Sequence, residues 1–489
     1  MSSASRSITA SDVAALLSPS RCERRVVLEA SGEQRDPATA LREVLRDEGI
    51  AFEHAVIEDL SPQALDLSDG SEHERAEQAI TAVANGVAHI YQPLLKGRTE
   101  ILGETWELKG IPDLLVIDDG GQYRIRDVKL LTNLEAHPEV ILQLQFYGLL
   151  YEQTFGAAPA GLEVHCGDGS IQVVPPAEAA ELAEVIERVA LLMSDGEQSH
   201  EPRGVSKCGQ CGFRMSCYDT ALQRHDVSLV SGVSQAEARA FYAAGIFTAE
   251  DLAGKSAEAV AAALGDDQGD SDDRARAARL LLGAEAMAGG ESVVVSKPKL
   301  PATRELIMFD VEDTGYIADT PVRVLLWGLR GYDAAASDYI AVEGGFDEQA
   351  DRAGWFAFLG VVDEMMTEHE DARFVHWSSH EGTKLDQYVE RYGDPEGIAQ
   401  RLDGALFDLL PVARGSIIPP TPGFSLKSIE KVAGYQRSLK GRDGSWAMAQ
   451  YRLAARGDDE IDLQEVNDYN EEDLEATWAV MVWMAGLPK

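Results

Sequence analysis

Apolar positions along this chain alternate between helical and strand-like spacing, and the alternation divides it into three regions. In the first, Leu41, Val44, Leu45, Ile50, Phe52, Val56 and Ile57 fall on a helical period, which predicts a helix from Thr39 to Leu60. Upstream, Thr9-Ala-Ser-Asp12 has the form of a cap for a short helix from Val13 to Leu17. Ser18-Pro19-Ser20 is expected to begin a second helix carrying Cys22. Short runs at 104–109, 111–118 and 123–130 predict turn-bounded strands. From Pro138 to Phe155 the helical spacing returns, with Leu142, Phe146, Leu149 and Leu150 expected inside. A strand meander passing into a helix predicts an α/β core for residues 1–225.

The second region, 226–303, is Ala-rich and helical, broken by glycines. The stretch from Ser231 to Asp251 resembles a helix-hairpin-helix unit, with a plain helical connector as the alternative. Residues 266–273 form an acidic loop, and 289–303, with two glycines and two prolines, reads as a linker. The third region, 304–489, starts afresh with a strand over 305–312. Further strands are expected at 322–329, 338–342 and 374–377, with a helix from Ala350 to Glu368 and a closing amphipathic helix from Glu471. This succession predicts a second α/β domain. No internal repeat is present.

Composition changes the picture mainly through charge. The 489 residues hold 83 Asp plus Glu against 43 Lys plus Arg, a formal −40. Such a balance argues against a broad basic nucleic-acid surface, although a local groove can still be basic. Arg21, Arg24, Arg25, Arg124, Arg126, Lys129, Arg437, Lys440 and Arg442 are the candidate positions. Weak non-specific binding and preference for a defined end or strand are expected. The longest apolar stretch is about a dozen residues, short of the roughly 20 a membrane span needs. The N-terminus lacks a signal pattern. Five cysteines, three of them clustered, fit a reducing cytoplasm.

Three constellations carry chemistry. In the first, Gly110-Ile-Pro-Asp113 precedes Asp127-Val-Lys129. A hairpin can bring the two aspartates together, and Lys129 projects from the same strand face as Asp127. Such carboxylates suit a divalent cation, and the ammonium can orient an attacking water. Glu53 can add a third carboxylate, and Gln143 and Tyr147 share a helix face at i and i+4. In the second, Cys208, Cys211 and Cys217 offer three thiolates within ten residues. Zinc and iron–sulfur are both open, with Cys22 or His225 as a fourth ligand. Cys166 reads as a buried strand cysteine.

Together these motifs resemble the RecB-type PD-(D/E)xK nucleases that carry a four-cysteine iron–sulfur cluster. That group includes CRISPR-adaptation exonucleases and the nuclease parts of recombination helicases. The resemblance implies a restriction-endonuclease-like fold, a [4Fe–4S] cluster on Cys22, Cys208, Cys211 and Cys217, and Mg²⁺ or Mn²⁺ at Asp113 and Asp127. It departs at the helix motif, where many members place a His and here Glu53 and His54 compete.

The third constellation is Asp310-x-Glu312 on one strand face, Glu381 after the 374–377 strand, and Tyr469 with Asp473 at i and i+4. It resembles the DEDD (DnaQ-like) 3′–5′ exonucleases, whose fold is RNase H-like. The resemblance implies metal at Asp310, Glu312 and Asp473 and a water-orienting Tyr469. Glu381 stands where that family has Asp. The segment from Phe424 to Tyr435 also resembles the stretch between its motifs.

The whole chain resembles a bacterial RecB-family nuclease with an appended RNase H-like domain. It implies a metal-dependent deoxyribonuclease acting on single strands or DNA ends in repair or recombination, cytoplasmic, with a helicase as a partner to test. The alternatives are a single-site nuclease with a degenerate RNase H-like binding domain, and a non-catalytic iron–sulfur scaffold in repair or CRISPR complexes.

Overall fold

A computed structural model describes residues 6–17, 22–60, 63–118, 120–195, 201–204, 208–209, 211–265, 271–315, 321–457 and 463–488. Ser18 to Arg21 and the acidic stretch 266–270 lie outside them. The chain forms two compact units, one of 1–38, 45–201 and 205–216, the other of 39–44, 202–204 and 217–489.

In the first unit the expected N-terminal cap forms: the Thr9 hydroxyl accepts from the Asp12 N–H, and the Asp12 carboxylate accepts from the Thr9 N–H. The helix it starts is Ala10–Ala15, and the next is Glu23–Ala30, preceded by Cys22. A six-stranded sheet has the order Leu65–Asp66, His89–Tyr91, Leu114–Ile117, Tyr123–Lys129, Gly161–Cys166, Ile171–Val174. Its centre is an antiparallel pair with Leu114 opposite Arg126, and Tyr123–Lys129 then runs parallel to Gly161–Cys166. The helix Pro138–Phe155 supplies the crossover that a parallel pair requires.

The expected meander is corrected. The strand Glu104–Gly110 belongs to a separate three-stranded sheet, antiparallel to Leu95–Ile101 and parallel to Ser7–Thr9. Pro112 has no N–H to continue a ladder, so the chain changes sheets at Gly110-Ile-Pro-Asp113. Gly110 itself lies under the crossover helix, where a Cβ would sit 2.7 Å from side-chain atoms of Tyr147 and Leu150. Leu142 and Leu149 are only half-buried, while Leu144, Phe146, Tyr147 and Leu150 fill the core.

In the second unit a five-stranded sheet has the order Ile340–Glu343, Val324–Asp333, Glu305–Asp313, Arg373–His376, Leu406–Asp408. The first three strands are antiparallel and the last two parallel to the central one. Alternation along Glu305–Asp313 sorts its side chains. Ile307, Phe309 and Val311 enter an aromatic core with Trp327, Trp355, Phe358 and Tyr388. Leu306 and Met308 face the opposite side and pack with Leu474, Val480 and Met484 of the closing helix Leu463–Ala485. Trp327 stacks on Phe358 with centroids 4.3 Å apart, a pairing worth about 1 kcal/mol beyond its buried area.

The closing helix therefore begins before Glu471, because Val466 and Tyr469 already carry its buried stripe. The Ala-rich segment of the same unit is helical, with Gln235–Ala243, Ala249–Ala253, Ala257–Ala263 and Ser271–Gly289 around a core of Phe241, Leu252, Val260 and Leu280. The expected linker carries a strand, Val293–Val294, which pairs with Ile417–Ile418.

Candidate active sites

The first site forms where the central hairpin of the six-stranded sheet opens. Asp113 precedes its strand by one residue and Asp127 lies near the end of the partner strand. The Asp113 N–H donates to Asp127 Oδ1 at 3.2 Å, and the Val128 N–H donates to Asp113 Oδ2 at 2.8 Å. Lys129 Nζ stands 3.1 Å from Oδ2 of both aspartates. Asp127 is fully buried, and its Oδ2 accepts no hydrogen bond among the described residues although Lys129 lies beside it. A buried carboxylate oxygen held this way is a fitting ligand for a hard cation.

Burial pushes the Asp113 carboxyl up to about 7, with the Asp127 charge adding to the shift and Lys129 opposing it. Burial alone would lower the Lys129 ammonium, but the charges of Asp127 and Asp113 outweigh it and leave it raised. Glu53 accepts from the Tyr91 hydroxyl at 2.8 Å and from Gln92 Nε2 at 3.5 Å, close enough for its charge to raise Asp113. His54, its competitor in the sequence, is exposed. Gln143 Nε2 donates to the Tyr147 hydroxyl at 2.8 Å, and burial followed by the Asp127 charge raises Tyr147.

The second site lies on the face of Glu305–Asp313 that meets the closing helix. Asp310, Glu312 and Asp473 each offer a carboxylate oxygen, all within 4.8 Å of one another. Among the described residues this is the one such group of three or more His, Cys, Asp or Glu. Burial, then the charge of Asp473, pushes both Asp310 and Glu312 well above the usual carboxylate range. A buried acidic cluster whose members raise one another has the donor set and charge for a divalent cation. Glu381, buried on the helix His380–Tyr392, hydrogen-bonds Asp310 and also lies 3.1 Å from His376 Nδ1. The Tyr469 hydroxyl, raised by burial and by the nearby acids, hydrogen-bonds Asp473.

Sequence reasoning missed the groups that hold this site. Asn470, fully buried, donates from Nδ2 to Asp310 Oδ2 at 2.7 Å and accepts at Oδ1 from the Tyr339 hydroxyl at 3.0 Å. Gly328 makes the room, since a Cβ there would lie 1.7 Å from Asn470 Oδ1. Arg437 grips Glu430 at 2.8 Å and also Asp473, and Lys427 lies over the Tyr469 ring at 4.9 Å. Asn470 follows Tyr469 directly, so its place in the motif was the available signal.

The other candidate positions are placed less favourably. Arg126 is committed to Glu163 through Nε and Nη2, and Arg442 ion-pairs with Glu465 at 2.5 Å, so neither is a free basic contact. Arg21 lies outside the described residues. The cysteines do not enter any described group of three or more potential ligands. Cys22 directly precedes a helix without a capping hydrogen bond from its side chain, the Cys211 N–H donates to the Cys208 carbonyl at 3.1 Å, and Cys217 lies on the helix Arg214–Gln223. His225 Nδ1 pairs with Glu250, and Cys166 is buried at the end of its strand.

Residues 17–218 match the family model of the PD-(D/E)XK nuclease superfamily, and residues 307–485 match that of the RNase_H superfamily. The chain is thus a mixed α/β protein with an N-terminal PD-(D/E)XK domain and a C-terminal RNase H-like domain, both of nuclease type. A solved structure, that of SSO0001, is similar over 44% of this chain and 88% of its own, at 16% identity and a TM-score of 0.26. No curated protein matches the chain. No helix among the described residues is long and apolar enough to cross a membrane.

Proposed function

We propose that the protein is a metal-dependent deoxyribonuclease that removes nucleotides from single strands or DNA ends in repair or recombination, with two separate sites. The observation that carries this reading is the convergence of Asp310, Glu312 and Asp473 on the face opposite the aromatic core, with Glu381 and Tyr469 against them. Asp310, Glu312 and Asp473 would hold a cation in one domain, and Asp113 and Asp127 one in the other. Mg²⁺ or Mn²⁺ held there would supply polarisation of the phosphate and a lowered pKa for the attacking water. Lys129 presents its ammonium where negative charge develops. Tyr469 holds a proton at its hydroxyl and orients the nucleophile from beside Asp473. Glu53 offers the first site a third carboxylate, and Gln143 holds the Tyr147 hydroxyl beside it.

The test is digestion of end-labelled single- and double-stranded DNA with Mn²⁺, comparing the wild type with Asp113→Ala, Asp310→Ala and the double variant. Two separable activities, one lost in each single variant, are expected. Unchanged digestion by the double variant rejects the reading, and loss only in Asp113→Ala favours the single-site alternative. The cysteine set supports a separate proposal resting on spacing and resemblance: Cys22, Cys208, Cys211 and Cys217 as ligands of a [4Fe–4S] cluster, with zinc as the alternative. Iron, sulfide and zinc analysis of anaerobically purified protein decides between them, and protein holding none of these ends both.

A further inference from the structure

A cavity of about 460 Å³ in the RNase H-like domain is lined by Pro321, Arg323, Glu348, Arg352, Arg391 and Tyr392. Three guanidiniums in one cavity are conspicuous in a chain where acids outnumber bases 83 to 43. Behind them lies Asp351, fully buried, which accepts from the Tyr388 hydroxyl, from the Tyr392 hydroxyl at 2.8 Å and from Arg391 Nη1 at 3.1 Å. Arg391 Nη2 also donates to the Val322 carbonyl at 2.9 Å, so its guanidinium is locked in direction. Arg323 Nε is buried, 3.8 Å from Asp351, and has no hydrogen-bond acceptor among the described residues. Arg352 lies exposed beside the Phe356 ring. The three guanidiniums, set against Glu348 in the lining and Asp351 behind it, leave the cavity one net positive charge, with the exposed Arg352 as the donor open to a phosphate oxygen.

The position of the cavity names the phosphate. Glu381 at the start of the helix His380–Tyr392 touches Asp310, and Arg391 near its end lines the cavity. Ten helical residues separate them, about 15 Å along the axis. That length corresponds to about four nucleotides of stacked strand. We propose that this cavity is a backbone-phosphate subsite that grips a DNA strand about four nucleotides from the bond cut at the Asp310 site. The proposal rests on the nuclease reading of that site. It gives a chain of −40 charge a local contact for DNA without a basic surface.

The test uses the full chain in an Asp113→Ala background, so that only the Asp310 site cuts. Fluorescently labelled single-stranded DNA of about two and about twelve nucleotides is compared, the longer one spanning the subsite. Arg352→Glu is expected to lower the long-to-short ratio of kcat/KM about tenfold. In Ca²⁺ it should weaken binding of the long strand and reduce the salt slope by about 1, while Arg352→Lys recovers most of both. An unchanged ratio and slope in Arg352→Glu overturn the subsite. Saturable binding of inorganic phosphate, lost in Arg352→Glu while DNA binding is unaltered, also overturns it in favour of a free-phosphate site. Short-strand cleavage that survives Asp310→Ala instead overturns the nuclease reading of the site, whatever the subsite does.

Discussion

The two acidic sites manage buried negative charge in opposite ways. At the first, Lys129 stands between two aspartates, so a cation of its own chain offsets part of the metal-free centre's charge. At the second, three carboxylates face one another, and Arg437 pairs with Asp473 and Glu430 while Lys427 lies over the Tyr469 ring. Asp310 and Glu312 are pushed up by burial and by Asp473, a state that a bound cation relieves. Similar residue types thus build one site whose charge its own lysine partly offsets and another whose carboxylates raise one another.

The largest expected effect cuts this comparison at its centre. Asp113→Ala and Asp310→Ala should each lower one activity on the order of a thousandfold, the several kcal/mol that a metal site contributes. A variant that dulls both activities equally would show that the sites are not independent. Asn470→Ala should cost the second site about 10- to 100-fold, because it frees Asp310 Oδ2 from its hydrogen bond, with the first activity unchanged. Equal loss in both would point to general unfolding, which thermal melting would show.

Lys129→Met should destabilise the metal-free first domain by about 3 kcal/mol. That is the lower end for opening a buried ion pair, because 30% of the lysine side chain is exposed and solvent screens it. Denaturant unfolding with chelator checks it, and stability equal to the wild type would remove the balancing role. Saturating Mn²⁺ at about 100 times its Kd should stabilise the second domain by about 2.7 kcal/mol, an effect abolished by Asp310→Asn.

A further expected effect is on pH. Asp113 is raised from its ordinary 3.8 to about 7, so the folded first site binds a proton more tightly than the unfolded chain. Its contribution to stability is therefore present below about pH 4 and lost as pH rises through 7 in chelator. Metal affinity at that site moves the other way, rising up to about pH 7 as the proton leaves. A first-site activity flat between pH 5 and 8 would contradict the shift.

Much of each site was legible because its residues are local or periodic. Asp310-x-Glu312 shares a face through the two-residue period of a strand, and Tyr469 with Asp473 through the helical turn. Asp113, Asp127 and Lys129 follow from a single hairpin. Neighbours across the fold were not legible. Gly328 opposite Asp310, Tyr339 behind Asn470, and Arg437 on Asp473 come from segments with no shared period. The sheet to which Glu104–Gly110 belongs was also misjudged, since pairing partners are chosen by packing and not by the strand's own pattern.

By itself, then, the sequence determined the chemistry available: two separate sets of carboxylates, one with a lysine two residues away, each carried by an element whose periodicity aims it. Only the tertiary structure decided how those charges are compensated. Compensation depends on which distant side chains share the same buried volume, and in a medium of low dielectric that neighbourhood, more than the motif, sets protonation and readiness for metal.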